Sequence, residues 1–300
     1  MSLEVQVLKR FKSNHGQKLV YASYDRLLSA WTVPYERHNI STSYGMTHVV
    51  TVGSSDLPPL LLLHGTGDNV AMMWIYNVEE LSRNFHIIAV DNIGGSGKSE
   101  PNDKYAREFN QATWLDEVLE AMNVDAVYIA GVSYGAYLAY HYTIVRPDRV
   151  SKIVCFAGSI AGSQFEVMSK MMRAFLPEAL FPSERNVRSL LRKLCGTRAD
   201  AFENNPELMQ HWFYLLKHFN NRSMMKHAIT IHSPADIQAI RSKSMFVIGE
   251  RDLLSHYPKA VARLETNGMR YRIVNGAGHA INHEMPELVH EEIIGFCKEA

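Results

Sequence analysis

Three side chains, a serine, a carboxylate and an imidazole, stand in this sequence where they could together split an acyl bond. The serine is Ser133, inside Gly131-Val132-Ser133-Tyr134-Gly135 and directly after the apolar run Val127–Ala130. A serine set in a tight turn between a strand and a helix has close neighbours. Glycines on both sides leave room for them. The same turn lifts the hydroxyl above the sheet. It also aims the Tyr134 N–H and the positive end of the following helix at one point, where an oxyanion could be held.

A hydroxyl is a weak nucleophile until a neutral imidazole takes its proton, and the imidazole needs a carboxylate to fix its tautomer and stabilise its charged form. His279, in Asn275-Gly276-Ala277-Gly278-His279, is preferred to His283 because the flanking glycines suggest a mobile turn that projects it inward. Asp252 follows the apolar run Ser244–Gly249 and is preferred to Glu250 at the strand end and to Asp91. Arg251 and His256 read as loop or surface residues. Ser133, Asp252 and His279 each follow a predicted parallel strand, so they should share the C-terminal edge of one sheet, where open α/β folds bind ligands. The order Ser, Asp, His along the chain is that of a nucleophile-elbow hydrolase.

The elements that must carry these residues follow from hydrophobic pattern. Leu60–Leu63 and Phe85–Val90 are continuous apolar runs, as expected of strands buried on both faces of a parallel sheet. Residues 36–41 and 45–53 read as two strands joined by a turn at Ser43-Tyr44-Gly45. Spacing predicts helices over 17–33, 105–122, 134–146 and 286–298, and strands at 126–131, 150–157, 244–249 and 269–274. The alternation of strand and helix argues for an α/β fold, a parallel sheet with helices on both faces. From 159 to 235 no strand is evident, and helices are expected near 164–176, 184–195, 206–220 and 222–232. This divides the chain into a core of 1–158 and 236–300 and a helical cap of 159–235. The cap's methionines and aromatics, among them Met168, Met171, Met172, Met209, Met224, Met225 and Phe175, could roof an apolar site.

Composition narrows the function. The chain has 300 residues, 46% of them hydrophobic, enough for one large core. Its 31 basic and 31 acidic residues balance, which gives no reason to expect nucleic acid or an anionic membrane as partner. Cys155, Cys195 and Cys297 form neither a metal pattern nor a disulfide framework, in keeping with a reducing cytoplasm. The N-terminus alternates apolar and charged residues, unlike a signal peptide, and no apolar run suits a membrane span. Gly94-Gly95-Ser96-Gly97-Lys98-Ser99 evokes a phosphate loop, but Asn92 stands where its first glycine would be. That segment reads instead as a structural turn held by Asp91. His64 reads as a structural histidine bonded to local backbone.

Taken in order, His64-Gly65-Thr66-Gly67, Asp91 to Ser99, Gly131 to Gly135, Gly249 to Asp252 and Gly278-His279 resemble the motifs of α/β-hydrolase-fold enzymes with a helical cap. The resemblance runs from about residue 36 to the C-terminus. The stretches Leu28–Val33 and Ile40–Val49 more narrowly resemble carboxylesterases of Bacillus and its relatives. The resemblance implies a mostly parallel, eight-stranded sheet. It also implies a second oxyanion donor, the Thr66 N–H just after His-Gly, beside that of Tyr134. The expected activity is that of a serine hydrolase acting on a small, partly apolar carboxylic ester through an acyl-enzyme, with no cofactor or metal. The same triad serves C–C bond hydrolases, thioesterases, amidases and cofactor-free peroxidases. A slow ligand sensor that signals through its cap is the alternative of a different class.

Overall fold

The computed structural model describes residues 8–163, 165–166, 169–170 and 181–299. One sheet organises them. Its strands are β1 (Tyr35–Thr42), β2 (Gly45–Val52), β3 (Pro59–Leu63), β4 (His86–Val90), β5 (Glu100–Pro101), β6 (Val127–Val132), β7 (Val150–Phe156), β8 (Ser244–Gly249) and β9 (Arg270–Val274). Eight run side by side in the order β1-β2-β4-β3-β6-β7-β8-β9, and the two-residue β5 pairs with β2. From β4 through β9 every pairing is parallel, while β1 and β2 form an antiparallel hairpin that continues antiparallel onto β4. This is the expected sheet with one short ribbon added. Leu60, Leu61, Leu62 and Leu63 are completely buried, as befits a strand with neighbours on both edges and layers on both faces.

The helices that lie wholly within the described residues are α1 (Asn14–Ser29), α2 (Val70–Met73), α3 (Val78–Ser82), α4 (Asp103–Arg107), α5 (Gln111–Ala121), α6 (Tyr134–Val145), α7 (Glu184–Leu194), α8 (Asp200–Glu203), α9 (Pro206–His218), α10 (Pro234–Ala239), α11 (Pro258–Thr266), α12 (Ile281–Glu284) and α13 (Pro286–Lys298). Between β7 and β8 the described residues contribute no strand to the sheet.

Three local expectations are corrected. The first helix begins earlier and stops earlier than 17–33. The Ser13 side chain caps it by accepting from the Gly16 N–H, and Trp31 packs beyond its end. One face of it, with Val20, Tyr24, Leu27 and Leu28, is buried. The helix expected over 105–122 is two, because Asn110 leaves helical geometry and caps α5 by accepting from the Thr113 N–H at 2.9 Å. The helix expected over 222–232 is a single 3₁₀ turn, Asn221–Met224, followed by irregular chain. The β-branched pair Thr230-Ile231 resists helix there, and Pro234 holds Ser233 extended. Of the helix expected near 164–176, most residues, with Met168, Met171, Met172 and Phe175, lie outside those described.

Candidate active site

The turn between β6 and α6 is built from steric necessity. A Cβ on Gly131 would run into the Gly135 carbonyl, and one on Gly135 into the Leu63 carbonyl of β3. Between them Ser133 takes φ 56° and ψ −113°, a conformation that side-chain-bearing residues rarely adopt. Such backbone strain costs about 1–3 kcal/mol and persists where the surroundings over-determine it. Here the Ser133 N–H donates to Phe156 O at 2.9 Å, and the Ser133 carbonyl accepts from the Ala136 N–H at 3.0 Å.

At the end of β8 the chain turns back on itself, with the Asp252 N–H donating to Gly249 O at 3.1 Å. Asp252 is buried. Its Oδ1 accepts from the N–H groups of Leu254 (2.8 Å) and Ser255 (3.0 Å). His279 Nδ1 lies 2.9 Å from Oδ1 and 3.0 Å from Oδ2 of this carboxylate. An imidazole nitrogen facing two carboxylate oxygens must carry the hydrogen, which leaves Nε2 with its lone pair free. Burial alone would raise the Asp252 pKa. The His279 charge and hydrogen bond, helped by the two N–H groups, outweigh it and hold the carboxyl below its ordinary value. For His279, burial works to lower the pKa. Asp252 above all, then Asp68 and Glu284, overcome it and raise the imidazole above its ordinary value.

The loop that carries His279 is pinned rather than mobile, which corrects the reason for preferring it. A Cβ on Gly278 would collide with Leu194 O and the Gly196 N–H, so the glycine serves close packing against the end of α7. Leu194 O accepts from the His279 N–H at 2.6 Å and from the Ala280 N–H at 3.2 Å. Thr197 N–H donates to Gly276 O at 2.9 Å, and the buried Glu284 carboxylate takes the N–H groups of both Gly196 (2.7 Å) and Gly278 (2.9 Å). Apart from the Gly278–Glu284 bond, whose partners are 6 residues apart, these contacts are invisible in local sequence, because Gly196 and Glu284 are 88 residues apart and Thr197 and Gly276 are 79.

The rival residues are engaged elsewhere. Glu250 is exposed and accepts from the Gly276 N–H at 3.0 Å. His283 is buried with Nε2 at 3.0 Å from Met72 O, and burial lowers its pKa to about 4. Asp91 accepts from the N–H groups of Val70 (3.0 Å) and Lys98 (2.8 Å), as expected of a loop anchor, and also meets His48 Nδ1 at 3.1 Å. Gly97 lacks a side chain because a Cβ there would strike the Asp91 carboxyl.

Two backbone donors stand just after β3 and β6, at Thr66 and Tyr134. Among the described residues, no carbonyl accepts from the Thr66 or the Tyr134 N–H. His64 fixes the first of them. Its Nε2 accepts from the Asn92 N–H at 2.9 Å, so Nδ1 carries the hydrogen and donates to Gly65 O at 2.8 Å. Gly65 C=O and Thr66 N–H belong to one planar trans peptide, so clamping the oxygen sets the direction of the N–H. Tyr134 is held through its ring. Its hydroxyl donates to His227 Nδ1 at 2.8 Å, because His227 Nε2 must donate to Ile93 O, and it accepts from Gln111 Nε2 at 2.8 Å. Sequence reasoning missed this network, as His227 and Gln111 carry no motif.

The structure therefore joins the acid to the base and sets Ser133, Asp252, His279, Thr66 and Tyr134 after β6, β8, β9, β3 and β6, along one C-terminal sheet edge. Among the described residues the Ser133 hydroxyl makes no hydrogen bond to His279. Such bonds are often long before substrate binds.

Ser133 leaves β6, Asp252 leaves β8 two strands along and His279 leaves β9 three strands along, and a chain of this fold has counterparts among known proteins. The family profile described as alpha/beta hydrolase fold matches residues 58–286, and the chain belongs to that family. Within it, the chain is 26% identical over 282 residues to carboxylesterase YbfK of Bacillus subtilis, covering 92% of each. The crystal structure of naproxen esterase (carboxylesterase NP) from the same organism superposes with a TM-score of 0.80 at 21% identity, covering 95% of this chain and 99% of that one. That of carboxylesterase CesB (YbfK) gives 0.78 at 24% identity, with the same coverage. The narrower likeness to Bacillus carboxylesterases is thus borne out, and this is a carboxylesterase-like α/β-hydrolase. No helix among the described residues is long and apolar enough to cross a membrane.

Proposed function

We propose that the protein is a serine hydrolase that cleaves small carboxylic esters through an acyl-enzyme. The observation that carries this reading is the two-oxygen contact of Asp252 on His279 Nδ1, on the same sheet edge as the strained Ser133 turn. Ser133 Oγ attacks the ester carbonyl while His279 Nε2 takes its proton. The oxyanion is received by the N–H groups of Thr66 and Tyr134. The charged imidazole, stabilised by Asp252, protonates the departing alcohol. Water then attacks the acyl-enzyme by the same route, and Ser133 leaves with its proton restored. The helices between β7 and β8 act as a cap over this edge. The test is a screen of short- to long-chain nitrophenyl esters beside amide and thioester analogues. Faster turnover of the amides or thioesters, relative to their uncatalysed rates, would overturn the ester assignment.

The reading fixes a pH dependence. Only the neutral imidazole accepts the Ser133 proton, and its surroundings raise its pKa. The acid limb of kcat/KM should therefore have its midpoint above the free-histidine value of about 6.5. Activity is lost as pH falls through that midpoint. Removing the Asp252 charge should move it downward. A flat profile from about pH 5 to 9, with chemistry rate-limiting, would argue against a histidine base.

The oxyanion donor at Thr66 is tested by separating side chain from backbone. Thr66→Ala keeps the N–H and should keep most activity. Thr66→Pro removes the N–H and should slow acylation by about 10²–10³-fold in a protein that still melts cooperatively. Equal damage in both variants would assign the role to the hydroxyl instead.

A further inference from the structure

Asp68 lies in the loop after β3, two residues past Thr66, and the mechanism above gives it no task. It is only 9% exposed, and its Oδ1 is buried with no hydrogen-bond partner among the described residues. The other buried carboxylates of this region are all engaged: Asp91 by Val70, Lys98 and His48, Asp252 by Leu254, Ser255 and His279, and Glu284 by Gly196 and Gly278. Burial pushes the Asp68 carboxyl up to about 7, against the electrostatic pull of His279. A buried carboxyl oxygen with no hydrogen-bond donor carries a standing cost in free energy.

Its position is what gives that cost a use. A Cβ built on Gly65 would lie 2.8 Å from Asp68 Oδ2 and 3.4 Å from Ser133 Cβ. The carboxyl and the nucleophile are therefore neighbours across the width of one methyl group. A substituent close to an ester carbonyl at Ser133 has Asp68 within its reach.

Building on the ester-hydrolase reading, we propose that Asp68 is a substrate-recognition residue, whose unpaired carboxyl forms a polar subsite beside Ser133 for esters bearing an ammonium or hydroxyl group within a few bonds of the scissile carbonyl. Either group supplies the donor that Oδ1 lacks. A methyl group in its place leaves the carboxyl buried and unpaired. Selection then rests on a hydrogen bond rather than on size, and sites of that kind discriminate strongly because the wrong substrate leaves a polar group orphaned.

The test uses three esters of one shape: 4-nitrophenyl 3-aminopropanoate, 3-hydroxypropanoate and butanoate, at pH 8. After correction for uncatalysed hydrolysis, the first two should exceed the butanoate in kcat/KM by about 10- to 100-fold. Asp68→Leu should reverse the order. Asp68→Asn, whose amide oxygen still accepts, should keep part of the hydroxyl preference and lose that for ammonium. A binding arm needs no turnover: the matching 4-nitroanilides are titrated into Ser133→Ala protein and into the Ser133→Ala, Asp68→Leu double variant. Donor-selective affinity in the first that disappears in the second supports the subsite. If wild type hydrolyses none of the esters while that selectivity remains, the esterase reading falls and the subsite stands. Equal rates and equal affinities across the three groups would overturn the proposal. So would Asp68 variants that melt earlier and slow all three esters alike, since that is the signature of a structural residue.

Discussion

Ser133→Ala protein should lose ester turnover by about 10⁶-fold, the scale seen when the nucleophile of a comparable triad is removed. It should still melt as one cooperative unit. The Ser133 hydroxyl holds nothing together, and the strained backbone is fixed by main-chain bonds to Phe156 and Ala136 that alanine keeps. A fluorophosphonate should label wild type at Ser133 alone and leave the variant untouched, because the reagent needs both the hydroxyl and the imidazole that activates it. Residual hydrolysis above water should survive, since the oxyanion donors remain. Labelling at another serine, or undiminished turnover in the variant, would remove Ser133 from the chemistry.

Replacing either buried aspartate by asparagine should separate a catalytic acid from a structural one. Asp252→Asn presents an amide to His279 Nδ1. Its NH₂ group favours the tautomer with hydrogen on Nε2, which cannot accept the serine proton. In a related triad the same change costs about 10⁴-fold in rate. Asp91→Asn should leave the rate per folded molecule nearly intact and lower the melting temperature instead. Burial would raise the Asp91 pKa, but His48, His64 and the Lys98 N–H reverse this and lower it to about 2. A folded pKa below the unfolded one means that the stabilisation is present above about pH 4 and lost as pH falls toward 2. The melting difference between wild type and Asp91→Asn should therefore shrink across that window. Opposite behaviour of the two variants, at equal foldedness, would exchange their roles.

The fold, and the placing of the candidate site on it, were largely legible because their signals are local. Leu60–Leu63 can only be an interior strand, and Gly131 and Gly135 mark contacts that exclude any side chain. Asp252 could be chosen over Glu250 from its offset beyond β8, and His279 over His283 from the glycines before it, although those glycines serve close packing rather than mobility. What stayed hidden depends on distant partners. The break before Asn110 was within reach, since an asparagine three residues before an unpaired N–H is a capping signal. At Asn221–Met224 the end of the helix was within reach from Thr230-Ile231 and Pro234, but the course of the chain beyond it was not, because His227 holds it against Ile93 and Tyr134. The isolation of Asp68 is equally invisible, as an aspartate in a glycine-rich loop gives no hint that its carboxyl will find no partner.

The junction of α7 with the histidine loop bears on how such enzymes can be recombined. Leu194 O holds the backbone of His279, and Gly196 and Thr197 pack against Gly276 and Gly278. A chimaera that imports foreign helices across this point replaces the seat of His279, the proposed general base. Transplants should therefore keep residues 194–197 with the host, and splice on the far side of them, if the recipient is to remain active.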